Sequence, residues 1–197
     1  MDKSRDVILI TGATGNQGGA IANQLLAKGY KVRAMTRNPQ SAASKALESR
    51  GAEVVRGDFD DSESLERALK GAWGAYSVQN TWIVGAAAEE EYGKKFAELA
   101  RKMKIGHFVY SSVASAHRNT GIPHFDNKWR IEEKIRSLEF PSYTILRPTW
   151  FFENFSSQWF LPGLMDGKLA IALKPETVLQ MNAVEDIGKF GVLAFEN

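Results

Sequence analysis

Apolar and polar positions alternate in blocks along the chain. Val7–Thr11 is a short, almost continuous apolar run, the pattern of a strand buried on both faces. A glycine cluster follows, and then Ile21, Leu25 and Leu26 at helical spacing, with Gly29 as the expected stop. Lys31–Thr36 predicts a second strand, Asn38-Pro39 a turn, and Ser41–Ser49 a helix closed by Gly51. Glu53–Arg56 predicts a third strand. Asp60 and Glu63 stand at capping-box spacing before the apolar positions Leu65, Ala68 and Leu69, and Gly71 ends that helix. Ala75–Val78 predicts a fourth strand. Tyr92, Phe96, Leu99, Ala100 and Met103 share one face of a long helix. Phe108–Tyr110 predicts a fifth strand, Ile131, Ile135 and Leu138 the buried face of another helix, and Tyr143–Leu146 a sixth strand.

Alternation of this kind, with short connections, requires a parallel sheet with helices on both faces, because parallel neighbours need crossovers. After Pro148 the rhythm changes. Trp150, Phe151, Phe152, Phe155, Trp159 and Phe160 crowd a short stretch, Asp166-Gly167 predicts a turn, Lys168–Leu173 and Val178–Met181 predict strands, and Val184–Phe195 a last helix. Two regions follow: residues 1–148 as the unit built on the parallel sheet, and 149–197 as the start of a smaller lobe plus a helix that returns to the first unit. The aromatic stretch is expected mainly as core or interface, with Trp150 and Phe151 the positions to face a ligand.

Composition narrows the chemistry. The 197 residues contain no cysteine, which excludes disulfides, thiolate-held metals, iron–sulfur clusters and a cysteine nucleophile. The three histidines, His107, His117 and His124, have no metal-ligand spacing, so no metal is expected. Lys and Arg number 25 against 23 Asp and Glu, too even a balance for a nucleic-acid surface. No apolar run approaches the ~18 residues of a membrane span, and Val7–Ile10 is too short for a signal peptide. A cytoplasmic protein is expected, with neither nucleic acid nor membrane as partner.

The first strand-to-helix turn reads Gly12-Ala13-Thr14-Gly15-Asn16-Gln17-Gly18-Gly19. Glycines at 12, 15 and 18 allow a sharp turn, close approach to a pyrophosphate, and tight packing of helix on strand. The helix start adds unpaired N–H groups and partial positive charge for phosphates. Strand before and helix after supply the context that turns a glycine triplet into a dinucleotide signal. An NAD site calls for a carboxylate at the end of the second strand, to accept from the ribose 2′-hydroxyl. Here that end reads Met35-Thr36-Arg37-Asn38, and no acidic residue lies between Asp6 and Glu48. Lys28, Lys31, Arg33, Arg37 and Lys45 fall in the same interval. Arg37 offers a planar fork to a 2′-phosphate, so NADP(H) is the expected cofactor. Asp58 is placed for the adenine amino group or as a turn cap.

Six segments coincide with a known pattern: TGATGNQGG (Thr11–Gly19), AMTRNP (Ala34–Pro39), GDFDD (Gly57–Asp61), FVYSSV (Phe108–Val113), HFDNK (His124–Lys128) and RPTWFFENF (Arg147–Phe155). Together, and through VEDIGKFGVLAF near the end, they resemble the NmrA-like family of atypical short-chain dehydrogenase/reductases. The resemblance implies a Rossmann-like, doubly wound α/β domain that binds NADP(H), with a smaller C-terminal lobe over the substrate side. It implies that Gln79, Asn80 and Thr81 end the fourth strand beside the cofactor and that Ser111 and Ser112 end the fifth. It implies Lys128 near the nicotinamide ribose, and Pro148, Thr149, Trp150 and Phe151 near the nicotinamide. The family continues well past Asn197, which implies a shortened form here: cofactor site intact, substrate side open.

Typical members of the superfamily carry a Tyr-x-x-x-Lys pair for acid chemistry. Here His124 stands in the tyrosine's place, with Lys128 four residues on and on the same helical face. The candidate catalytic residues are therefore Lys128 and His124, with His124 alternatively a residue of the helix start. No serine sits in a nucleophile elbow. Two functions are compatible with these residues: an NADPH-dependent reductase of a small quinone, carbonyl or conjugated substrate, and a non-catalytic NADP(H) redox sensor that regulates a partner protein.

Overall fold

The computed structural model describes Asp2 and residues 6–196. Six strands form one parallel sheet: β1 (Val7–Ile10), β2 (Lys31–Thr36), β3 (Glu53–Arg56), β4 (Ala72–Ser77), β5 (His107–Ser111) and β6 (Ser142–Leu146). Their order is β3-β2-β1-β4-β5-β6. The chain works outward from β1 to one edge and then crosses back to β4, so the crevice between β1 and β4 is where a doubly wound sheet takes its ligand. The register pairs Ile10 with Ala34 on one side and with Tyr76 on the other.

Helices cover both faces. On one lie α1 (Asn16–Ala27), α2 (Ala42–Ser49) and the last helix, α8 (Val184–Glu196). They close over Ile8, Ile10, Val32 and Tyr76 with Ile21, Leu25, Leu47, Val192 and Phe195. On the other lie α3 (Ser62–Leu69), α5 (Ala86–Lys102) and α6 (Pro123–Ser137). These pack Leu65, Leu69, Phe96, Ala100, Ile131 and Ile135 against Leu9, Phe108 and Tyr110. Helix α8 lies directly on α1: a Cβ at Gly191 would come 2.6 Å from Ile21 Cδ1, and one at Gly188 2.9 Å from the Ala20 carbonyl. Only residues without side chains let the two backbones approach that closely.

Several sequence expectations need correction. The cap of α3 is Asp61, whose carboxylate accepts from the Ser64 amide at 3.0 Å. Asp60 instead accepts from the Tyr92 hydroxyl. Strand β4 begins at Ala72, three residues before the predicted start, because Val7 pairs with Ala72. A short helix absent from the sequence reading, α4 (Thr81–Val84), follows β4, with the Asn80 side chain accepting from the Trp82 amide at 3.0 Å. Another, α7 (Leu161–Met165), lies in the aromatic stretch. Neither Lys168–Leu173 nor Val178–Met181 forms the expected strand. Residues 168–173 and 178–180 have no sheet neighbour, and Leu169, Leu173 and Val178 are exposed. Only β8 (Met181–Asn182) pairs, in parallel, with β7 (Trp150–Phe151). No residue from 141 to 186 is buried, so the aromatics after Pro148 are not core: Trp159 is 82% exposed and Phe152 52%. No helix among the described residues is long and apolar enough to cross a membrane.

Candidate functional site

The site assembles where β1 and β4 end. The Thr11 hydroxyl accepts from the Val78 amide at 2.9 Å and lies 3.2 Å from the Val78 carbonyl, which locks the two strand ends together. Gly12 then turns the chain with φ +58°, a region costly for any residue with a Cβ, and a Cβ there would press to 2.9 Å on Val78 Cγ1. Its carbonyl accepts from the Gly15 amide at 2.9 Å. A Cβ on Gly18 would strike the Gly12 carbonyl. Helix α1 opens from Gly15 with no side-chain cap and no acidic residue in its first turn. The amides of Asn16, Gln17 and Gly18 have no hydrogen-bond acceptor among the described residues. An uncapped helix start with a glycine cradle is an anion site in the making. Thr14, Gly15 and Asn16 are exposed beside it.

Gln17 plays two parts. Its side chain turns inward, where its carbonyl oxygen accepts from the Ser111 hydroxyl at 2.6 Å and the Tyr76 hydroxyl at 3.4 Å. That takes up the side-chain oxygen and leaves the Gln17 backbone amide free for a ligand. It also commits the Ser111 hydroxyl to the protein. Burial pushes the Tyr76 phenol far above its ordinary pKa, so Tyr76 stays neutral.

At the β2 end, two of the five cations in the acid-free interval are already engaged. Lys28 pairs with Glu196 at 3.1 Å. Arg33 reaches Glu53 at 2.8 Å and the carbonyls of Ala68 and Lys70 at 2.8 and 2.7 Å. Arg37 is exposed at the carboxyl end of β2 and makes no ion pair among the described residues. The Asp58 carboxylate accepts from the Asp60 amide at 3.2 Å, which makes it the turn cap that the sequence allowed.

Beyond β4, Gln79 is buried. Its amide nitrogen donates to the Ser77 hydroxyl at 2.9 Å, while its carbonyl oxygen has no partner. Asn80 is spent on capping α4. Thr149 donates through its amide and hydroxyl to Asn182 at 2.8 and 2.9 Å, which fixes the turn after Pro148. Trp150 is half-buried with its indole N–H unpartnered, and packs edge-on against Phe160 at 5.5 Å. Phe151 packs against the core. Ser112 is buried at the end of β5, its amide bonded to the Leu146 carbonyl at 2.8 Å.

Lys128 is no solvated lysine. Its ammonium sits 2.9 Å from the buried Glu89 carboxylate and 3.4 Å from the Ser111 carbonyl, and 5.6 Å above the Tyr110 ring. His124 lies between Trp82 at 5.3 Å and Phe125 at 4.7 Å. Burial pushes its pKa down, and the Lys128 charge adds to that against the opposing pull of Glu89. The imidazole is therefore neutral near pH 7. Glu89 and its neighbour Asn127 were not anticipated. The available signal was position: Glu89 lies four residues before Gly93 and seven before Phe96, on the stripe that α5 buries.

These residues fit a nicotinamide dinucleotide. Unpaired amides and a cradle that a Cβ would fill suit the diphosphate. The orphaned Gln79 carbonyl and the lysine at the β5 end lie further along the same edge. No cluster of metal-ligating side chains occurs among the described residues.

Comparison with known proteins places the chain. The oxidoreductase FrzB of Cladobotryum sp, an NmrA-like family domain-containing protein, is 36% identical over 167 residues, covering 79% of this chain and 50% of FrzB. The chain thus spans about half the length of that relative. Triphenylmethane reductase of Citrobacter sp., solved with NADP(H), superposes with a TM-score of 0.79 at 21% identity, covering 93% of this chain and 62% of that one. NmrA, a negative transcriptional regulator solved with NADP, superposes with a TM-score of 0.83 at 22% identity, covering 98% of this chain and 62% of NmrA. NmrA has also been solved with NAD. The NmrA-like family model matches residues 4–197, and the chain belongs to the NmrA-like family.

Proposed function

We propose that this chain binds NADP(H) along the carboxyl edge of its sheet and acts as a reductase of a small quinone, carbonyl or conjugated substrate. The observation that carries the proposal is the pairing of an uncapped, acid-free helix start at Asn16–Gly18 with an uncommitted Arg37 where an NAD site would hold a carboxylate. The amides of the first turn of α1 would hold the diphosphate, Arg37 the 2′-phosphate, and Gln79 and Lys128 the nicotinamide half. A bound nicotinamide would supply a hydride; the protein's part is to orient it. His124 is neutral and Lys128 is paired, so neither stands ready as a strong acid. A quinone suits such a site, since its reduced oxygen can take a proton from solvent. Trp82, 83% exposed beside His124, offers an apolar wall on that side.

The missing tyrosine favours a second function, an NADP(H) sensor acting on a protein partner, in which the dinucleotide biases two conformations by binding them unequally. One sample distinguishes the two. Calorimetric titration with NADPH and NADH comes first, then NADPH consumption over a panel of quinones and enones. Tight NADPH binding with turnover supports the reductase. Tight binding without turnover on any acceptor removes the reductase and leaves the sensor. Equal affinity for the two dinucleotides removes the assignment of Arg37.

A further inference from the structure

Glu89 is the one fully buried carboxylate on α5, and nothing in the dinucleotide site as described above assigns it a task. We propose that Glu89 is the positioning residue for Lys128. Its carboxylate fixes the ammonium at the carboxyl end of β5, facing the edge where the ribose of the dinucleotide would lie. The inference rests on the proposed reading of Lys128 as a ribose ligand.

The geometry is specific. The Asn127 side-chain amide, one residue before Lys128 on α6, donates to Glu89 Oε2 at 2.9 Å and to the Ala86 carbonyl at 2.8 Å. Both bonds tie α6 to the first turn of α5. With Oε2 held, Oε1 lies 2.9 Å from Lys128 Nζ as an ion pair. The lysine side chain is only 12% exposed and runs over the Tyr110 ring, so it has little freedom to find other partners. An ammonium has three donors. One is directed to the Ser111 carbonyl at 3.4 Å, while Glu89 holds the charge as an ion pair and not through an aligned hydrogen bond. That leaves N–H donors free for a ligand hydroxyl at a place the protein has already chosen. A buried ion pair adds little net stability, because desolvation offsets much of the attraction. What it does supply is a charge held at a fixed point before the ligand arrives, and preorganisation of that kind lowers the cost of binding.

A double-mutant cycle on NADPH affinity tests this, with Kd measured by calorimetry and thermal melting run on every protein. Lys128→Met weakens binding. Glu89→Gln, which keeps the shape and removes the charge, weakens it about tenfold, a typical coupling between contacting groups. Glu89→Asp, which keeps the charge, recovers most of that loss. In the Lys128→Met background, Glu89→Gln has no further effect. If Lys128→Met weakens binding but Glu89→Gln does not, or weakens it equally in both backgrounds, Glu89 does not act through Lys128 and the proposal falls alone. If Lys128→Met leaves the affinity unchanged, the lysine is not a ribose ligand, and both the site reading and this inference fall. Should Glu89→Gln not fold, Glu89→Met takes its place in the cycle with the same expected outcomes.

Discussion

Single side chains in this molecule divide into those spent on the fold and those left over. Arg33 and Arg37 are four residues apart, yet the first is tied to Glu53 and two carbonyls while the second has no ionic partner among the described residues. Charge reversal at Arg37 should therefore leave the fold intact and act on the ligand. Arg37→Glu is expected to weaken NADPH binding at least tenfold relative to NADH, as loss of a charge-assisted phosphate contact would. Calorimetry with both dinucleotides checks it, and an unchanged ratio refutes it. Glu132 shows the opposite case. It is fully buried on α6, and Arg147 and Arg136 reach it at 2.6 and 2.7 Å. Burial alone would raise its carboxyl, but the bonds to the two guanidiniums win and hold it below its ordinary value. A carboxylate depressed in the folded state contributes stability above its unfolded pKa of about 4.3. That contribution is lost as pH falls through the folded value. Glu132→Gln should lower stability near pH 7 by about 1–3 kcal/mol, since two partly solvated guanidiniums lose a charged acceptor. The deficit should shrink as the wild type is acidified below about pH 4, and denaturant melts at pH 7 and pH 3.5 measure it.

Secondary elements were legible in the sequence where burial imposed a period. All six sheet strands and the helices at residues 16–27, 42–49, 62–69, 86–102, 123–137 and 184–196 follow runs or stripes visible in the sequence. What failed was local chemistry without burial. Lys168–Leu173 alternates like a strand, but alternation makes a strand only where a neighbour completes the ladder, and none is there. The four residues of α4 are too few for a period to show, and the Asn80 cap that begins it is legible only once β4 is known to stop at Ser77. In the candidate site, the glycine loop and Lys128 stand out in the sequence by their spacing. Glu89 does not, because a carboxylate on an apolar stripe reads as surface charge until the facing lysine is seen. The contact between α8 and α1 is the element-scale feature most open to test. Gly191→Leu would push a side chain into Ile21, and overpacking of this kind costs about 1–3 kcal/mol. Thermal melting should show the loss, while Phe190→Ala on the exposed face of the same helix should leave the melting temperature nearly unchanged.

At the scale of the whole molecule, burial is unevenly distributed. The sheet between β1 and β5 carries side chains with no exposure at all, such as Ile8, Leu9, Ile10, Tyr76 and Phe108. The stretch from 141 to 186 has no buried residue, although the chain then returns to bury Ile187, Val192 and Phe195. Local opening free energy follows buried apolar contact, so the segment around α7 should open long before the sheet does. Proteolysis reads that opening directly, because a protease needs an extended stretch of chain. Lys168 is exposed and lies in the segment without regular structure, whereas Lys45 and Lys102 are exposed but lie within helices. Trypsin at low concentration should therefore cut first after Lys168. The fragment containing α8 should then stay associated with the sheet, because its contact with α1 does not depend on the severed loop. Mass spectrometry of the early digest, followed by size exclusion without denaturant, tests both parts. First cuts inside α2 or α5 would show that stability does not follow the burial pattern. Loss of the α8 fragment on the column would show that the loop, and not the glycine-lined contact with α1, holds the last helix in place.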